Sequence, residues 1–159
     1  PALFDGLAQH PDVFGFCTGF KRWCKREEIE PRLSQVAPGS PHWWMIGFTP
    51  DRWERIKPHF ERYYDLIREG DYGHLPHGKI LALFEEVGWN SPISSQDGGK
   101  SMAVHLAGMH RVQLTVNRGV SIGREGIHFN GGLFERMGLH EQEPYVFESD
   151  RVRERFEWV

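Results

Sequence analysis

The stretch "RVQLTVNRGVSIGREGIHFNGG", Arg111–Gly132, is where the apolar pattern of the chain changes period. Val112, Leu114 and Val116 alternate with polar residues, as do Val120 with Ile122 and Ile127 with Phe129, and glycines sit at the turns. A period of two places side chains alternately on the two faces of a pleated strand. "EPYVFES" (143–149) and "RFEWV" (155–159) add two short β-like runs. Several short strands joined by Gly- and Asn-containing turns predict a small antiparallel β-barrel.

Upstream of Met109 the period is helical. In "TPDRWERIKPHFERYYDLIREG" Thr49 stands at an N-cap, Pro50 at the first helical position and Asp51 in the first turn. Trp53, Ile56, Phe60, Tyr63, Tyr64 and Ile67 recur at spacings of three and four, and Gly70 supplies a stop. Pro58 removes one backbone hydrogen bond and predicts a kink or a restart. "HGKILALFEEVGW" predicts a second helix with Ile80, Leu83, Phe84 and Val87 inward. "SSQDGGKS" reads as a break, and "SMAVHLAGM" as a short third helix. Residues 1–48 are irregular, with one short helix expected over Gly19–Glu28, where Phe20, Trp23 and Cys24 share a face. The fold class is therefore α+β: a mainly helical part over 1–108, then a small antiparallel barrel over 109–159.

Composition bounds the function. The chain has 159 residues, 39% of them hydrophobic and 26% charged, which suits a packed domain. No apolar run reaches membrane-spanning length, and "PALFDGLAQH" lacks the basic and apolar regions of a secretion signal. Cys17 and Cys24 without such a signal are expected as reduced thiols, and the expected location is the cytoplasm. A net charge of −3 excludes a polybasic nucleic-acid binder, so any DNA contact must use local patches. The densest patch is Lys21, Arg22, Lys25 and Arg26, offset by Glu27, Glu28 and Glu30. On a helix Arg22, Lys25 and Arg26 share the face opposite Phe20 and Trp23, either as a solvated face or as a phosphate contact. Arg111, Arg118 and Arg124 are separated by strands and turns and could share one rim.

Other patterns carry less. His74-Leu-Pro-His77 has a metal half-site look, but Pro76 and the lack of a third ligand at spacing favour loop histidines. His105 and His110 offer nothing stronger, Asp71 beside His74 lacks a nucleophile, and Glu85-Glu86 reads as a solvated face. Gly98-Gly99-Lys100-Ser101 lacks the first glycine of a phosphate-binding loop and no strand pattern precedes it. No catalytic or metal-binding set emerges, and no cofactor is expected in this chain.

Two segments, in this order, resemble the Mu-type phage DNA transposases. "HPDVFGFCTG", His10–Gly19, is similar to the His-Pro-x-x-x-Gly-x-x-Thr-Gly stretch that follows the catalytic glutamate in that family. "LTVNRGVSIGREGIHFNGGLFERM" is similar to the start of its C-terminal β-barrel, and the intervening helices fall where the family closes its RNase H-like core. The resemblance implies a DDE-type enzyme that cleaves and joins DNA with two divalent metal ions (Mg2+) held by two Asp and one Glu. Upstream of His10 only Asp5 is acidic, so on this resemblance the catalytic acids lie before Pro1. The chain would then be the distal core plus the barrel, backing the catalytic sheet and holding DNA backbone, with other transposase subunits as partners. Seven basic against eight acidic residues over 110–159 departs from the basic barrel surface the family leads one to expect. Two other functions fit the composition: a protein-interaction or regulatory module, and a small hydrolase or toxin using His74, His77 or His105.

Overall fold

The computed structural model describes residues 2–17, 32, 35–39, 43, 46–115, 124–125, 130–138, 140 and 157–158. Its elements are α1 (Ala2–Ala8), β1 (Val13–Cys17), β2 (Gln35–Pro38), β3 (Ile46–Phe48), α2 (Pro50–Ile67), α3 (His77–Glu86), α4 (Gln96–Leu106), β4 (His110–Leu114), α5 (Gly131–Arg136) and β5 (Glu157–Trp158). The chain is mixed α and β. The expected helix over Gly19–Glu28, the Cys24 thiol and the run "EPYVFES" lie outside the described residues.

β1, "VFGFC", is buried along its whole length, as a central strand covered on both faces must be. It pairs in parallel with β4 and antiparallel with β3, and the sheet order is β3-β1-β4-β2-β5. β2 is antiparallel to β4, and the two-residue β5 is parallel to β2. Val13 faces His110 while Gly15 faces Arg111, so Phe14 is an extra residue in β1. Such a bulge reverses the alternation downstream of it. Val13 and Phe16 consequently share one face with Leu7, Val36, Val112 and Leu114, while Phe14 packs on the other with Trp43, Ile56, Ala103, Val104 and Met109. α1 lies against β1 on the first side, and α2 and α4 lie against the second.

The expected barrel is corrected in one respect. β4 is the strand that Val112 and Leu114 announce, but its neighbours are β1 and β2 in an open mixed sheet, and the described residues form no closed barrel. Alternation reports that one face of a strand is buried; it carries no information on which strands lie beside it. The sheet is continuous across residue 109. A second difference lies at "NGG": Asn130 is an N-cap whose side chain accepts from the Leu133 amide at 3.0 Å, so the glycines open α5 rather than form a turn.

α2 follows its expected boundaries and runs through Pro58 without a break. Pro58 is on the exposed side, where the Glu54 carbonyl it leaves unbonded meets solvent. Thr49 occupies the N-cap, but its hydroxyl serves the Asp51 carboxylate rather than an amide. Tyr64 is half exposed, so the inward stripe is Trp53, Ile56, Phe60 and Tyr63. α3 buries Ile80, Leu83 and Phe84 as expected. α4 starts at Gln96, five residues before the expected third helix, and includes "DGG". The glycines are packing residues. A Cβ on Gly99 would lie 2.5 Å from Tyr63 Cγ, and one on Gly98 would strike the Ile93 carbonyl oxygen. Tyr63 itself is fully buried, stacks between Phe60 and Phe84, and donates its hydroxyl to the Ser94 carbonyl at 3.2 Å.

Arg52, on α2, is buried and joins the two layers. Its guanidinium donates to the carbonyls of Pro11 at 2.7 Å, Leu7 at 3.3 Å and His10 at 3.4 Å. These include the carbonyls that the end of α1 cannot satisfy within the helix. Among the described residues no helix is long and apolar enough to cross a membrane.

Candidate nucleic-acid interface

β1 and β4 run in parallel, and Cys17 is the register partner of Gln113. The chain therefore leaves the two strands side by side at one end of the sheet, about one strand spacing apart (~4.8 Å). The segment that follows β1 carries Lys21, Arg22, Lys25 and Arg26, and the segment that follows β4 carries Arg118. These five residues lie outside the described residues, while Arg111 and Arg124 lie within them.

Arg111 stands opposite Gly15 and alternates with Val112, so its side chain falls on the face covered by α4. Its guanidinium lies 4.3 Å from the centroid of the Trp43 ring and 3.3 Å from Ser101 Oγ. Burial lowers its pKa from the usual guanidinium range, opposed by the fields of Cys17 and Asp97. α4 supplies the rest. Asp97, Lys100 and Ser101 stand at i, i+3 and i+4, hence on one helix face. Lys100 Nζ reaches Asp97 at 2.9 Å and sits 4.9 Å from the same Trp43 centroid. Ser101 donates its hydroxyl to the Asp97 carbonyl at 2.7 Å and accepts from Trp43 Nε1 at 2.9 Å and from Arg111. Two cations thus share one aromatic ring, an arrangement favoured by the ring quadrupole and opposed by their mutual repulsion.

Arg124 has a different setting. It pairs with Glu135 at 3.3 Å, with both side chains well exposed, and lies over the Phe134 ring at 5.5 Å. Trp43, Lys100 and Ser101 are absent from the candidates that sequence alone provides. "GGKS" does attract notice there as an incomplete phosphate loop, but nothing in its spacing places it beside Arg111, 10 to 13 residues further on and on a strand.

The histidines go to separate partners. His74 Nδ1 is 3.2 Å from Asp71, His77 Nδ1 is 2.6 Å from Ser94 Oγ, His105 packs on Trp89, and His110 is 3.7 Å from Asp12. Among the described residues no three His, Cys, Asp or Glu side chains converge as a metal site would require. These donors do not fit the two-metal clamp that the transposase resemblance implies, so no step is assigned to a metal here. An open cleft of about 660 Å³ is lined by Leu81, Phe84, Trp89 and Pro92, with Glu85 as its charged residue; an acid at its wall repels phosphate.

Asp71 gives a pH prediction. The Gly73 amide, and then His74, hold its carboxyl below the ordinary range. A depressed folded-state pKa adds stability above the unfolded value, and that increment disappears as the pH falls through the lowered one. Asp71→Asn should flatten this part of the acid limb, read by thermal melts at stepped pH and by the Asp71 carboxyl NMR titration in the parent. A parent midpoint at or above 3.8, the ordinary Asp value, refutes it.

No protein-family model, no curated protein and no solved structure matches this chain.

Proposed function

We propose that the chain contacts DNA backbone as the distal part of a DDE-type transposase, comprising the closing elements of an RNase H-like core and a Mu-type C-terminal barrel. The observation that supports this reading is the parallel β1–β4 pair. It starts the Lys21–Arg26 segment and the Arg118 segment from adjacent points, which gathers basic residues within a chain of net charge −3. Phosphate contacts of this kind position a duplex without reading its sequence. The catalytic acids, and with them Mg2+ and strand transfer, belong to residues preceding Pro1 on this reading. Other transposase subunits complete the assembly.

The test is fluorescence anisotropy with a labelled duplex of mixed sequence, titrated from 50 to 200 mM salt. Binding should weaken linearly in log–log form, with a slope of about −0.9 per phosphate neutralised. Replacing Lys21, Arg22, Lys25 and Arg26 together by Gln should reduce that slope by about 3. An unchanged slope refutes the role of this segment. Absence of DNA binding at the lowest salt favours the protein-interaction module instead.

A further inference from the structure

We infer that Lys100, Ser101 and Arg111 form a cradle for one phosphodiester of DNA, with Trp43 as its floor. The inference rests on the DNA-binding reading and names the place where the backbone is held. Lys100 and Arg111 approach the one indole ring at 4.9 and 4.3 Å, and Ser101 lies between Trp43 Nε1 and the Arg111 guanidinium. Crowding two half-buried cations is unfavourable until an anion reaches them. The burial that lowers the Arg111 pKa strengthens the attraction an incoming anion feels.

The donor chemistry selects the ligand. Arg111 offers planar N–H groups, Lys100 a point charge and Ser101 a hydroxyl, the combination that recognises phosphate oxygens. Trp43 is only 7% exposed, and the cations pack on its ring, so no nucleobase can stack there. The contact must therefore be to the sugar-phosphate chain and be indifferent to sequence. Asp97, 47% exposed and 2.9 Å from Lys100, is an internal competitor that a phosphate has to displace. Its competition separates a binding cradle from a merely structural cluster, because removing it should strengthen binding.

The experiment compares the parent chain with Lys100→Gln and Asp97→Asn by duplex anisotropy across salt. The Trp43 indole N–H cross-peak, assigned with Trp43→Phe, serves as the local probe. Lys100→Gln, which keeps a polar side chain beside Trp43, should weaken duplex binding about 3- to 10-fold at 100 mM salt and reduce the salt slope by about 0.9. Asp97→Asn should tighten binding about 2- to 5-fold, as expected for loss of one like charge near a phosphate. The Trp43 cross-peak should move on adding duplex at concentrations where inorganic phosphate leaves it in place. A parent whose binding is salt-dependent, with neither variant changing it, overturns the cradle and leaves the DNA reading standing. A cross-peak that moves with inorganic phosphate but not with duplex overturns the diester assignment. A parent that binds no duplex overturns both.

Discussion

Replacing Arg52 by leucine will lower the unfolding free energy by about 3 kcal/mol, read as a shift in the urea midpoint at unchanged m-value. The guanidinium is buried and serves the Leu7, His10 and Pro11 carbonyls. Leucine fills part of the volume but donates nothing, so those carbonyls are left without a charged donor where water is scarce. Arg55 is the internal control. It donates to the same Pro11 carbonyl at 2.6 Å but is exposed, so water replaces it and Arg55→Leu should cost roughly 0.5 kcal/mol. Equal losses for the two variants would mean that the α1–α2 junction is not organised by the buried guanidinium.

Gly99→Ala will destabilise the protein by about 2 kcal/mol, although alanine favours a helix over glycine by about 1 kcal/mol. The added Cβ would lie 2.5 to 2.7 Å from three atoms of the Tyr63 ring, which is fixed between Phe60 and Phe84 and has nowhere to go. Gly98→Ala should do the same against the backbone at Ile93. Gly78, also helical, has no atom within 4 Å of its Cβ position, so Gly78→Ala should stabilise by about 0.5 kcal/mol. Opposite signs for Gly99 and Gly78 in thermal melts are the expected result. A neutral or stabilising Gly99→Ala would refute the close approach of α4 to α2.

The same glycines show where sequence reading stops. Thr49, Pro50 and the apolar spacing of α2, like Ile80, Leu83 and Phe84 of α3, state their structure locally, through caps and period. "QDGGKS" states a break by the same local rules, since two glycines and an aspartate are poor helix formers. Its helicity comes from Tyr63, thirty-odd positions earlier, which requires small residues beneath its ring. β4 is legible as a strand from Val112 and Leu114, yet its neighbours are set by partners that alternation does not encode. The bulge at Phe14 is equally silent, because all five residues of β1 are buried and no polar residue marks a face. At the candidate interface Arg111 is legible as a cation. Its companions Lys100 and Ser101 are not, because they reach it through the tertiary contact of α4 with β4.

The parallel pairing of β1 with β4 also fixes an order of events. Val13 meets His110, almost a hundred positions later, so the middle of the sheet closes only after nearly the whole helical segment has been synthesised. α2, α3 and α4 carry a core of their own in Tyr63, Ile80, Leu83, Phe84 and Met102, and can condense while the nascent chain is still short of Leu114. Until β4 emerges, "VFGFC" is an apolar strand with one flank open, the kind of segment that chaperones cover and that pairs wrongly when left alone. A ribosome that stalls between Met109 and Leu114 would therefore release a chain whose helices are sound and whose first strand is a seed for aggregation.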